Sequence, residues 1–383
     1  MKKKILIVTS YLLVAVLASL ATLGIEAWTD KEEYSKVQEL EDLILTCFIG
    51  ETDQTALQDA AAEGMIDSLD DRWSYYMTAG EYAAHMEQAN NAYVGIGITI
   101  VQEEGVEGFR IMVVNEGGPA WEAGLQVGDV IVGVEGQSTL EMTPTEARDL
   151  VRGEEGTQVA ITLLRNGEEL TVQVTRKQVQ TPVALYEMLE GNIGLITIVN
   201  FDNRCAEETI AAIEALLADG AEKLIFDVRH NPGGYAREMV AVLDYLLPEG
   251  DLFRTVDYRG KENVETSDEA HLEIPMAVLV NADSYSAAEF FAAALREYDA
   301  AVIVGEQTSG KGYFQYTYEL SDGSGVGLSV GKYYTPNGVS LEKVGITPDV
   351  EVAVTEEQAS EIYYDTLEPG EDPQIQAAVD ALN

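Results

Sequence analysis

The sequence predicts a multidomain α+β protein in three parts: an N-terminal helical segment, a β-barrel-like domain and an α/β core. Three observations carry this reading. The chain has 383 residues and 41.7 kDa, more than one hydrophobic core usually supports. Short β-rich runs punctuated by glycine occupy residues 92–177. From Gly191 to Val304, strands alternate with helices, the signature of a largely buried sheet covered by helices.

The chain starts with Met1 and three lysines, Lys2 to Lys4, followed by an apolar run from Ile5 to Ile25 broken only by Thr9, Ser10, Ser19 and Thr22. Such a run is long enough to cross a bilayer as a helix, and the lysines set its N-terminus in the cytoplasm. Ala18-Ser19-Leu20-Ala21 offers a loose cleavage site, so a removed signal peptide is the competing reading. The length of the run favours an uncleaved signal anchor over 1–27. In both readings the rest of the chain is extracytoplasmic, and in the favoured one it is tethered to the cell membrane by a single helix. Over 28–91 the pattern is helical. Val37, Leu40, Leu43, Ile44 and Phe48 recur at intervals of three and four, as do Leu57, Ala61, Met65, Ile66 and Leu69. The tail over 356–383 is acidic and ends in a short helix; whether it or the helical segment forms a homodimer stays open.

Around Tyr93 the character changes to Val94-Gly95-Ile96-Gly97-Ile98-Thr99-Ile100 and Phe109-Arg110-Ile111-Met112-Val113-Val114. Then comes Gly118-Pro119-Ala120-Trp121-Glu122-Ala123-Gly124-Leu125, followed by Gly128-Asp129 and an alternating strand, with a closing hairpin at Arg165-Asn166-Gly167-Glu168. The whole of 92–177 resembles the PDZ family. Glycines at 95 and 97 by themselves permit only a tight turn. The resemblance implies more: Tyr93, Gly95, Ile96, Gly97 and Ile98 would bind the C-terminus of a substrate protein, which adds as an extra strand.

Three segments of the core over 178–355 carry candidate chemistry. Phe226-Asp227-Val228-Arg229-His230-Asn231-Pro232-Gly233-Gly234 is a strand running into a Gly-Gly turn, where consecutive amides can point at one developing oxyanion. Val278-Leu279-Val280-Asn281-Ala282-Asp283-Ser284-Tyr285-Ser286-Ala287-Ala288-Glu289 is a buried strand followed by small residues and a helix. A serine there is either a nucleophile at the positive end of the helix or an N-cap, and capping is the commoner fate. Gly310-Lys311-Gly312 sets a lysine between two bare flanks, with Gln315 four residues on and expected on the same strand face.

Together these motifs resemble the C-terminal processing peptidases, also called tail-specific proteases, over essentially the whole chain beyond the anchor. The closing Tyr334-Thr335-Pro336-Asn337-Gly338 and Gly345-Ile346-Thr347-Pro348-Asp349 fit the same pattern. The resemblance implies a crotonase/ClpP-like peptidase core and an ATP-independent serine endopeptidase. Ser286 would be the nucleophile, Lys311 the general base, Gln315 its orienting partner, and the amides of Gly233 and Ala287 the oxyanion hole. An ordinary lysine titrates near ~10.4, so such a base must be buried enough to lose its proton at neutral pH.

Two departures stand out: His230 where asparagine is more usual, and Tyr285 with Ala288 where small or serine residues are. A Ser286-His230-Asp227 triad is disfavoured, because Asp227 sits three residues before His230 and points to the opposite face of the strand. Gly327-Leu328-Ser329-Val330-Gly331 matches a nucleophile-elbow string but leads into extended chain, not a helix. With His85, His230 and His271 the only histidines, none at ligand spacing, and no phosphate-binding loop, neither zinc nor ATP is expected, and no cofactor at all. A net charge of -44 excludes nucleic acid as a partner of the folded part. Cys47 and Cys205 are expected to be two buried thiols. The rival reading from another class is an inactive PDZ-bearing scaffold.

Overall fold

The computed structural model describes residues 36–103, 105–364 and 366–383. The expected anchor over 1–27 lies outside the described residues, and among these no helix is long and apolar enough to cross a membrane. The chain forms two compact units, one ending at Tyr76 and the other running from Met77 to Asn383.

The first unit holds α1 (Lys36–Cys47) and α2 (Gln54–Asp67). Asp53 caps α2 by accepting from the Ala56 N–H at 3.2 Å, and Gln54 and Gln58 both donate to Glu41 Oε1, at 2.8 and 2.7 Å. The three-four stripe forms, yet Leu40, Leu43, Phe48, Met65 and Leu69 are exposed. Cys47, expected to be buried, is exposed as well, because it ends α1 on this uncovered helix; Cys205 is the buried thiol, and neither is bridged. A short strand, β1 (Tyr75–Met77), and α3 (Ala79–Ala89) follow.

The chain then enters the β-rich domain along β2 (Ala92–Gly95) and leaves it along β9 (Lys177–Gln180). These two pair antiparallel, Tyr93 opposite Val179 and Gly95 opposite Lys177, so a single two-stranded ribbon carries the whole insert. Inside it lie β3 (Ile98–Val101), β4 (Phe109–Val114), α4 (Pro119–Glu122), β5 (Val130–Val134), β6 (Gln137–Ser138), α5 (Pro144–Val151), β7 (Gln158–Arg165) and β8 (Glu168–Thr175). The sheet order is β3-β4-β5-β7-β8 with β6 on β5, which leaves β3 at an edge. Asn166 and Gly167, with φ of 54° and 83°, supply the left-handed pair that a two-residue hairpin between β7 and β8 requires. Asp129 is buried in the Gly-Asp turn, and Arg165 donates to both its oxygens at 2.8 and 2.6 Å.

The core is built on β10 (Ala184–Leu189), β11 (Ile193–Ile198), β12 (Lys223–Asp227), β15 (Met276–Val280), β16 (Ala301–Gly305) and β19 (Val350–Glu351), in the order β10-β11-β12-β15-β16-β19. All pairings are parallel except that of β10. Between them lie α6 (Cys205–Ala218), α7 (Ala236–Leu246) and α8 (Ala287–Glu297), all packed on one face through residues such as Ile213, Leu243, Phe290 and Phe291. The alternation of strands and helices expected from Gly191 to Val304 is this succession. Every residue of β15 is buried, which is why it reads as an unbroken apolar run. A second sheet, unassigned from sequence, runs β17-β18-β13-β14 through β13 (Gly250–Asp257), β14 (Glu262–Ser267), β17 (Tyr313–Glu319) and β18 (Gly325–Tyr334). Residues 327–331 lie within β18, an ordinary strand as expected.

Residues 356–383 are more than a tail. They form α9 (Glu356–Tyr363) and α10 (Pro373–Ala381), and Ile375 and Ala378 of α10 pack with Leu195, Ile225, Ala277 and Leu279 on the second face of the core sheet. Arg229 ties that helix to the segment leading into the Gly-Gly turn. Its guanidinium donates to both oxygens of Asp227 and, through Nη1, to Asp372 Oδ2 at 2.8 Å and Gln374 Oε1 at 2.9 Å. All four side chains are buried. Arg229→Ala would strand two buried carboxylates, so urea unfolding should show a loss of about 3–5 kcal/mol. Arg229→Lys should recover only part of it, since an ammonium cannot fork between the two carboxylates.

Candidate active site

The loop from β15 to α8 separates its two serines by role. Ser284 is fully buried; its hydroxyl donates to Val228 O at 2.7 Å and accepts from the Asn281 N–H at 3.0 Å. That hydroxyl holds the loop in shape. Ser286 sits at the N-cap position of α8 with φ 59° and ψ -125°, a backbone conformation rarely adopted by a side-chain-bearing residue.

The Gly-Gly turn packs directly against this serine. Asn231, wholly buried, donates from Nδ2 to Ile198 O at 2.7 Å, and its carbonyl accepts from the Tyr285 N–H at 3.2 Å. Gly233 has φ 89°, and a Cβ there would stand 2.8 Å from Ser286 Cβ and 3.0 Å from the Ala287 nitrogen. Only glycine fits. Its N–H, expected to serve an oxyanion, donates instead to Asn231 Oδ1 at 2.8 Å. Ala287 occupies the first turn of α8, where backbone N–H groups lack intrahelical acceptors.

Glu289 joins the serine to the lysine segment. This residue is fully buried, and its two oxygens receive four donors. The Ser286 N–H reaches Oε2 at 3.0 Å and the Lys311 N–H reaches the same atom at 2.9 Å. Oε1 accepts from Thr308 Oγ1 at 2.6 Å and the Gly310 N–H at 2.8 Å. One carboxylate oxygen therefore brings the backbone nitrogens of Ser286 and Lys311 within about 6 Å of each other. Burial pushes the Glu289 carboxyl above its usual range, outweighing the hydrogen bonds that pull it down. Sequence reasoning assigned Glu289 no role. An acidic residue in the first turn of a helix ordinarily answers the helix dipole in solvent, and only its wholly apolar neighbours, Ala287, Ala288, Phe290 and Phe291, hinted otherwise.

Lys311 is half-buried, and its Nζ lies 5.8 Å over the Tyr285 ring. The residue precedes β17 and does not belong to it, so the expected shared strand face with Gln315 is not formed. Gln315 Nε2 donates to Tyr313 O at 3.1 Å and Ser329 Oγ at 3.0 Å, fixing its amide against β18.

Asp227 is committed to Arg229, which removes it from the Ser286-His230-Asp227 triad. His230 is instead bound to Asn281 and Asp283, and its ring meets Tyr363 edge-on at 5.2 Å. Burial raises the Cys205 thiol to about 12, so it is no nucleophile.

Away from this cleft, Tyr93, Gly95, Ile96, Gly97 and Ile98 all line one groove between β3 and α5. Phe109 and Ile131 also line it, and Ala147, Val151 and Arg152 form the α5 side. The open edge of β3 and the apolar lining suit an added peptide strand.

Glu289→Gln would turn an NH₂ group toward two of the four donors. It should lower stability by about 3 kcal/mol in urea and kcat by at least about tenfold, leaving KM nearly unchanged. The raised carboxyl also has a pH signature. The folded state binds the proton more tightly than the unfolded one, so this residue's contribution is fullest in acid and declines as pH climbs through the two values. Glu289→Gln should remove that decline from the pH dependence of unfolding.

Proteins similar to this chain identify its family. Residues 192–352 match peptidase family S41, residues 110–165 a PDZ domain, and residues 17–80 the N-terminal domain of the activating protease CtpB. The carboxy-terminal processing protease CtpA of Bacillus subtilis (strain 168) is 34% identical over 365 residues, covering 91% of this chain and 78% of that protein. A CtpA-like serine protease of Staphylococcus saprophyticus is 32% identical over 359 residues, covering 91% and 72%. Among solved structures, an S41 protease from Bacteroides fragilis superposes with a TM-score of 0.53 over 91% of this chain and 98% of that one; at 17% identity it shows a shared fold. The chain therefore belongs to peptidase family S41 and is a serine-type peptidase of the C-terminal processing kind.

Proposed function

We propose that the chain is an ATP-independent endopeptidase working through a Ser286–Lys311 dyad, and that its PDZ groove captures the C-termini of exported proteins. The observation that supports the dyad best is the Glu289 carboxylate, which bonds the backbone of both residues at once. A scaffold that had lost activity would have no use for a strained serine pinned to a lysine loop.

In this mechanism neutral Lys311 Nζ takes the proton of Ser286 Oγ as that oxygen attacks the scissile carbonyl carbon. The carbonyl oxygen becomes an oxyanion beside the first turn of α8, where the Ala287 N–H stabilises it. The Gly233 N–H joins once it exchanges Asn231 Oδ1 for the oxyanion. Lys311 then gives its proton to the departing amine, leaving an acyl group on Ser286 Oγ. A water attacks that ester, with Lys311 again taking and returning the proton, and serine is restored. Gln315 orients the lysine in the active arrangement.

The dyad is tested with the purified chain and an unstructured protein substrate. Ser286→Ala and Lys311→Ala should each reduce turnover by at least about a thousandfold; equal turnover by all three would overturn it.

Capture of C-termini has its own test. Val151→Glu sets a carboxylate on the α5 wall of the groove, facing the incoming terminal carboxylate. KM for a substrate with a free C-terminus should rise at least about tenfold, while a short C-terminally amidated peptide is cleaved as before. An unchanged KM for both means that the groove takes no part.

A further inference from the structure

His230 opens the Gly-Gly turn with φ 56°, and it touches three parts of the site at once. Its backbone N–H donates to Asn281 Oδ1 at 2.9 Å. Its ring Nδ1 stands 3.0 Å from Asp283 Oδ2, and its Nε2 stands 3.0 Å from Asn281 Nδ2. The ring plane meets Tyr363 of α9 at 87°.

These contacts fix the protonation state. Asn281 Oδ1 also accepts from the Asp283 N–H at 3.2 Å, so two backbone donors define which end of the amide is oxygen. Asn281 Nδ2 is then a donor, and Nε2 of the ring must accept. Asp283 Oδ2 only accepts when ionised, so Nδ1 must carry the hydrogen. The ring that satisfies both neighbours is neutral and protonated on Nδ1 alone.

We propose that His230 is a positioning residue that locks the Gly-Gly turn to the Ser286 loop through this neutral tautomer. The proposal rests on the Ser–Lys reading above. A second proton on Nε2 would face the Asn281 NH₂. That amide cannot turn over without abandoning the N–H groups of His230 and Asp283. The charged and titratable groups around the ring are Asp283 on the serine loop and Tyr363 on α9, with Tyr364 edge-on to Tyr363. On its own segment, Arg229 is turned away toward Asp227 and Asp372.

Two measurements test this. Imidazole 15N shifts of Ser286→Ala in the full chain, with His230 told from His85 and His271 by its absence in His230→Asn, should show the Nδ1–H tautomer near neutral pH. This readout is independent of catalysis, so a failed dyad and a failed role for His230 are told apart. In the active chain, His230→Ala should lower kcat about tenfold with KM unchanged, and His230→Asn should recover to within about threefold. An Nε2–H tautomer, or a kcat in His230→Ala equal to that of the unaltered chain, would overturn the proposal.

Discussion

The catalytic cleft depends on one buried carboxylate. Glu289 sits fully inside the first turn of α8 and spends its acceptor capacity on the N–H groups of Ser286, Gly310 and Lys311 and the hydroxyl of Thr308. Desolvating a carboxylate is costly, and it is tolerated here because every donor around it would be equally costly to bury unpaired. The result is a joint between two loops that neither helix nor sheet supplies. Serine and lysine follow the ends of neighbouring strands, β15 and β16, whose ladder ends with Val280 opposite Gly305; beyond it the loops are joined by the Ser309 N–H to Ser284 O at 3.3 Å and by this carboxylate.

Close backbone approach is the second requirement. Gly233 lets the turn after β12 lie against Ser286, and Gly305 performs the same service at the end of β16, where a Cβ would stand 2.1 Å from Val280 O. The site is therefore assembled from main chain, with side chains used mostly as clamps: Asn231, Ser284, Asn281 and Glu289 are all buried and all bonded to backbone. The clamping extends to the C-terminus, because Arg229 binds the cap of α10 through Asp372. A helix far along the chain thus stiffens the strand that delivers the Gly-Gly turn.

The parts legible in the sequence were those with a short physical period or a glycine requirement. β15 reads as buried because Met276-Ala277-Val278-Leu279-Val280 has no polar residue, and α8 follows it where small residues give way to helix formers. The groove glycines and the Asn166-Gly167 hairpin were equally readable. The sheet through β13, β14, β17 and β18 was not. Its strands are half-exposed and rich in Glu, Thr and Tyr, with no clean alternation to mark them. The final short helix was readable but not its docking, because α10 is poor in apolar residues and its burial comes from a face of the sheet that only the fold creates. Glu289, Asn231 and Arg229 share a single reason for being missed: each is a polar residue whose partners are far away in the chain or belong to the backbone.

The resting arrangement of the site follows from where its hydrogen bonds already go. The Gly233 N–H is satisfied by Asn231, the Gln315 amide by Tyr313 and Ser329, and the lysine ammonium end lies over an aromatic face. In the proposed Ser–Lys mechanism, a site poised for catalysis would instead hold donors open toward the oxyanion. Each of these commitments is weak enough to exchange, at about 1 kcal/mol for a neutral hydrogen bond, and none is part of the Glu289 joint. The framework that sets Ser286 beside Lys311 is thus strong and permanent, while the contacts that would have to change on substrate entry are few, local and weak. That division lets the backbone of the site stay assembled while a few side-chain contacts rearrange around a substrate.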